Sequence, residues 1–174
     1  MNLRHDCSCV TVAAENGKEF RVIMRKFLVL LDDSRECLNA MRFAAMRAAN
    51  SGGGVVVLSV INAQEIQHGL GVADVMRAEA RERIEAHFEV FAKWMRDRPK
   101  VEPELVIREG DPADELLAQI GEDPLIGIVV LGVASDKGAK NPLLNRLLRD
   151  ITAVGCPITL VPGDLPKERL EAIT

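Results

Sequence analysis

The chain has 174 residues, of which 48% are hydrophobic and 28% charged, and its formal net charge is −4. That is enough for one globular domain with a sizeable core, and too apolar for a disordered chain. The acidic balance, the 3% aromatic content and the absence of tyrosine argue against nucleic acid and anionic membranes as partners.

No apolar run approaches the roughly 20 residues needed to cross a bilayer. The polar leader lacks the apolar core of a secretory signal, so a cytoplasmic location is expected. Cys7 and Cys9 form a C-x-C in the leader, while Cys37 and Cys156 stand alone. Without a C-x-x-C, and with no histidine placed to complete a familiar zinc pattern, they read as reduced thiols rather than metal ligands.

Residues 1–23 are polar and aperiodic, so a disordered leader is expected. The fold should begin near Met24, the residues before it being either that leader or the product of a start assigned too far upstream. Phe27-Leu28-Val29-Leu30-Leu31 predicts a first strand, ended by Asp32-Asp33-Ser34, with Ser34 as the N-cap of a helix to about Asn50. Leu38, Met41, Ala45 and Ala48 form its small-residue face. Gly52-Gly53-Gly54 stops that helix, and Val55 to Ile61 predicts a second strand. A polar loop through His68, Gly69 and Gly71 follows.

A long helix is expected from Asp74 to Arg98, with Ile84, Phe88, Phe91 and Met95 as its apolar stripe. Glu79–Arg83 and Glu89–Lys93 have the spacing of supportive ion pairs on its outer face. Leu105-Val106-Ile107 is the core of a third strand, ended by Gly110. Asp111 then caps a helix opened by Pro112. Ile126 to Leu131 is a fourth strand, and a helix from Pro142 to Val154 leads to a fifth, Ile158 to Val161. Beyond Gly163, residues 164–174 are expected to fray. Uniformly apolar strands alternating with helices predict a parallel sheet covered on both faces, in a doubly wound α/β domain. Its ligand crevice should lie beyond the carboxyl ends of the strands.

Five segments in order resemble the universal stress protein family. FLVLLDDS is similar to its opening strand and Asp-x-Ser turn, and VVVLSVI to its second strand. VIREGDPADELLAQI resembles its third strand and helix, IGIVVLG its fourth strand, and CPITLVP its closing strand. The likeness covers Lys26 to about Gly163. It implies a Rossmann-like five-stranded sheet in order 3-2-1-4-5 and a homodimer formed through the last strand, Ile158, Thr159, Leu160 and Val161. Pairing across a two-fold axis would also hide an apolar edge.

Many members bind ATP through Gly-x2-Gly-x9-Gly-[Ser/Thr] at the end of the fourth strand, where glycine amides and a helix N-terminus meet the phosphates. Counted from Gly132, the later positions hold Ser135, Asn145 and Arg146, so one glycine of three survives. Pro142 also removes an amide hydrogen near that helix start. The resemblance assigns Asp32 to the ribose side and Val60 to the base. Asp32 serves equally well to order its own turn. Lys137, Lys140 and Asn141 read as loop lysines and an N-cap, with phosphate contact as the alternative.

Several signals are set aside. Gly52-Gly53-Gly54 joins a helix to a strand, the reverse of a phosphate loop. Asp32-Asp33 as a cation pair is disfavoured because adjacent side chains diverge. His5 is in the leader, His68 in a loop and His87 on the long helix, and none stands at a strand end with a nucleophile. The reading is therefore a non-catalytic stress-response or regulatory module, homodimeric, binding nucleotide weakly or not at all, with no cofactor expected and an unidentified protein partner. Its alternative is an ATP-binding switch or slow ATPase with Mg and a non-standard phosphate loop. An adenine-nucleotide hydrolase ranks last, lacking a glycine-serine loop after the first strand.

Overall fold

A computed structural model describes residues 10–11, 21–22, 25–62, 72–136 and 140–174. Within the leader, β1 (Val10–Thr11) and β2 (Arg21–Val22) pair antiparallel, Val10 opposite Val22. The rest of the leader expected to be disordered, the loop through His68 and Gly69, and Lys137 lie outside the described residues.

The five apolar runs become β3 (Lys26–Leu30), β4 (Gly54–Asn62), β5 (Pro103–Gly110), β6 (Ile126–Val133) and β7 (Ile158–Pro162). All neighbours are parallel and the order is β5-β4-β3-β6-β7, which is 3-2-1-4-5 counted along this sheet. Central β3 pairs Val29 with Val57 on one side and Val130 on the other. Successive strand residues point to opposite faces, so each strand must be apolar on both. Phe27, Val29, Val55, Val57 and Val130 join one core cluster, whereas Leu28, Val56, Leu58 and Val129 join the other.

Helices α1 (Cys37–Ser51) and α2 (Val72–Asp97) cover the first face, and α3 (Pro112–Glu122), α4 (Pro142–Arg149) and α5 (Ile151–Val154) the second. Ala40, Ala44, Ala45 and Ala48 are 0–1% exposed, so methyl groups make up much of the face that α1 turns to the strands. Leu38, expected on that face, points outward at 40% exposure; Cys37 and Met41 take the inner positions. Gly52 ends the helix in the left-handed conformation, φ 65°, that favours glycine. α2 buries only Phe88, Ala92 and Met95, all in its second half. Its first half is less buried, held by Ile84 against the core and by Arg77 to Glu109 of β5 at 2.9 Å.

Two expectations of secondary structure change. The helix expected from Pro142 to Val154 breaks at Asp150, whose carboxylate accepts from the Thr152 hydroxyl at 2.9 Å and whose carbonyl accepts from the Ala153 amide. A side chain that competes for local hydrogen bonds interrupts the helical ladder there. The segment after Gly163 does not fray: Lys167–Ile173 forms α6, and Leu170 is fully buried beside half-buried Leu165. The Asn39 side-chain amide lies 3.0–3.2 Å from the carbonyls of Pro162, Gly163 and Leu165. Buried leucine plus a buried donor outweigh the polarity of the segment. Leu170→Ala should cost about 2–4 kcal/mol in chemical denaturation, with faster amide exchange over residues 165–174. An unchanged midpoint would mean that the tail does not dock.

Candidate functional site

Beyond the carboxyl ends of β3 and β4, beneath α2, lies a cavity of about 370 Å³. Its floor is mostly apolar, with Leu30, Val60 and Ile61. The strand ends are locked together: the Leu31 amide donates to the Leu58 carbonyl at 2.7 Å, and the Ser59 hydroxyl to the Leu31 carbonyl at 3.2 Å. Both Asp32 and Val60 line this cavity, as their positions at the strand ends require.

Asp32 is exposed, and its Oδ1 accepts from the Ser34 amide at 3.0 Å and the Ser34 hydroxyl at 2.5 Å. Ser34 thus orders the Asp32 turn and does not cap α1, which begins at Cys37 without a side-chain cap. Asp33 lines the same cavity, its carboxylate 3.8 Å from His87 Nδ1 on α2. Among the described residues no cluster of three or more histidine, cysteine or carboxylate side chains is arranged to hold a metal ion.

Gly132, Ser135 and Asn145 do not line the cavity. A Cβ on Gly132 would stand 2.7 Å from the carbonyl carbon and oxygen of Glu36 and 2.9 Å from its Cβ. A Cβ on Gly163, past the end of β7, would stand 2.5 Å from Glu36 Cγ. Both glycines therefore make room for the residue that opens α1. The Ser135 hydroxyl donates to the Asp164 carboxylate. Asn145 is exposed in α4, and Asn141 Oδ1 caps that helix by accepting from the Leu144 amide at 2.8 Å.

Two charged residues of the wall are not apparent from the sequence. Arg83 and His87 sit one turn apart on α2 and both line the cavity. The expected Glu79–Arg83 and Glu89–Lys93 pairs do not close. Glu89 meets Arg96 instead, at 3.2 Å, and Arg83 has no ion pair or hydrogen bond among the described residues. Only the four-residue spacing of Glu79, Arg83 and His87 hinted that they share a face.

With this geometry in place, the comparisons become informative. The Universal stress protein family model matches residues 24–162. The chain belongs to the universal stress protein family. No curated protein sequence matches it. Among solved structures, the universal stress protein UspA of Lactobacillus plantarum is 16% identical with a TM-score of 0.63, covering 79% of this chain and 97% of that one. A universal stress protein family member from Burkholderia pseudomallei is 21% identical, also at 0.63, covering 81% and 98%. An Arabidopsis thaliana family member with AMP bound is 16% identical at 0.54, covering 83% and 97%. At these identities the likeness establishes the shared fold.

Two outcomes follow from the packing at this end of the universal stress protein sheet. Gly132→Ala should lower stability by about 1–3 kcal/mol with or without ligand, because the added methyl meets backbone. A neutral effect on the melting midpoint would remove the steric role of this glycine. Burial pushes the Cys37 thiol up to about 12 from its ordinary value of 9.0. The folded state therefore holds that proton more tightly, and the stability it contributes in full below pH 9 is lost as pH rises toward 12. Cys37→Ala should flatten the alkaline slope of stability over that window; an unchanged slope would contradict this.

Proposed function

We propose that this universal stress protein is a non-catalytic regulatory module, working as a homodimer and binding nucleoside triphosphates weakly or not at all. The contact of Glu36 with Gly132 and Gly163 carries the reading. Where the family motif needs open backbone above the fourth strand of the sheet, this chain has packed the start of α1. Ser135, at the second glycine position, is engaged by Asp164, and Asn145, at the third, brings a side chain where a bare amide is needed. Tight phosphate binding depends on amides that can close around the anion.

The homodimer is supported by β7, which ends the sheet order and has Leu160 44% exposed. An apolar edge is costly to leave open, and a two-fold axis closes it. No helix among the described residues is long and apolar enough to cross a membrane. In this reading the output passes to a protein partner.

A second reading, an ATP-binding switch or slow ATPase, is favoured by the meeting of Asp32 and Val60 in one cavity. Denaturing the purified protein and identifying released nucleotide by mass spectrometry, then titrating with ATP-Mg by calorimetry, separates the two. The regulatory reading expects no co-purified nucleotide and at most millimolar affinity. Stoichiometric ATP or a micromolar Kd would put the switch first.

A further inference from the structure

The family match ends at residue 162 and α6 begins at Lys167, so this helix is an addition to the part of the chain that the family shares. It lies along one face of α1. Asn39, Phe43, Met46 and Arg47 follow the i, i+4, i+7, i+8 spacing of a single helix face. Asn39 reaches the carbonyls of Pro162, Gly163 and Leu165. At the other end the Thr174 hydroxyl lies 3.8 Å from Met46 Sδ, and Arg47 Nη1 donates to the Thr174 carbonyl at 3.1 Å. Half-buried Phe43 and Met46 pack against the core cluster that contains Leu170.

This face holds the two halves of the segment unequally. Buried Asn39 fixes residues 162–165 through their backbone, up to Pro166, where α6 starts. Past Pro166 the hold is slight. α6 has seven residues, no side-chain N-cap, and Leu170 as its buried residue. Among the described residues, no side chain from Lys167 to Ile173 makes a hydrogen bond or ion pair to the domain; Lys167 and Glu171 pair with each other at 3.6 Å. A helix of that length does not hold together alone in water, so α6 depends on the seat that Leu170 occupies. A segment tied down by one leucine and its last residue opens more easily than strands buried on both faces.

We propose that the Phe43–Met46 face of α1 is a helix-docking groove, filled in cis by α6 hinged at Pro166, and that it takes an amphipathic helix of a partner protein whose leucine displaces Leu170. The occupant's chemistry is written in α6 itself: one leucine inward, with Lys167, Glu168, Arg169 and Glu171 exposed around it. Grooves of this kind read an amphipathic helix through its apolar residues and leave its polar face in water. The tethered tail stands at about millimolar effective concentration, so it competes with any partner and sets the affinity that a partner needs. The inference deepens the regulatory reading, on which it rests for the existence of a protein partner.

The test uses the full chain as wild type, Leu170→Ala and Glu171→Pro, with a fluorescent peptide of residues 165–174 as the probe. Glu171 is exposed, so proline there breaks α6 without removing a core side chain and serves if Leu170→Ala melts early. In wild type, the α6 amides should exchange through an opening at least about tenfold more frequent than that of β3 and β6. The peptide should bind both variants at least about tenfold tighter than wild type, whose own tail fills the groove. The same peptide carrying Leu170→Ala should bind neither variant. The inference is overturned by α6 amides that exchange only together with those of β3, or by a peptide that binds neither variant. Equal affinity for wild type and both variants, or undiminished binding of the alanine peptide, would overturn it as well. None of these outcomes involves nucleotide, so each leaves the regulatory reading intact. Stoichiometric co-purified ATP would overturn that reading and leave the peptide result standing.

Discussion

The close approach of α1 to the sheet is the constraint on which the other features depend. Ala40, Ala44, Ala45 and Ala48 are all but inaccessible, so small side chains make most of the inner face of the helix and let it pack close to the strands. Its first turn is thereby driven onto the ends of β6 and β7, where only glycine leaves room for Glu36. The same proximity lets Asn39 reach three carbonyls after β7 and hold the carboxyl-terminal segment, so that Leu170 completes the core. Core, tail and the closed end of the crevice are thus consequences of one small-residue face.

Electrostatics reinforce the opposite corner. Lys26 at the start of β3 contacts Glu104 of β5 and Asp123 before β6, each at 2.8 Å, drawing three chain segments together. Its burial would lower the ammonium pKa, but the hydrogen bonds to Asp123 and Glu104 prevail and raise it. On edge strand β5, Arg108 pairs with Glu115 and Glu122 of α3 and holds the Glu122 carboxyl below its ordinary range. Charged side chains at Glu104, Arg108 and Glu109 discourage another strand from adding there. The two edges of the sheet are therefore unlike: β5 carries charge, whereas β7 presents Leu160.

What was legible in the sequence follows the same physics. Strands buried on both faces must be apolar throughout, so all five runs and their order could be read from hydrophobicity and the family likeness. The start of α3 was equally plain, and Asp111 does accept from the Ala113 and Asp114 amides with Pro112 following. The carboxyl-terminal helix was not, because two leucines in a polar stretch carry no signal until Asn39, over a hundred residues earlier, meets the backbone beside them. Asp32 and Val60 reached one cavity because strand ends are fixed by strand register. Gly132 was harder. A glycine that clears space for a ligand and one that clears space for a helix are the same letter.

That ambiguity bears on how a degenerate motif should be understood. Counting positions from Gly132 suggests a phosphate loop that has lost glycines one by one. The packing suggests that the remaining glycine answers to a different pressure, since any side chain there would push against the Glu36 backbone. A residue kept by packing is poor support for ligand binding at the same spot. Arg83 and Glu79 show the converse, standing one turn apart on the cavity wall without forming an ion pair. An exposed ion pair is worth only about 0–1 kcal/mol, so leaving it open costs stability little.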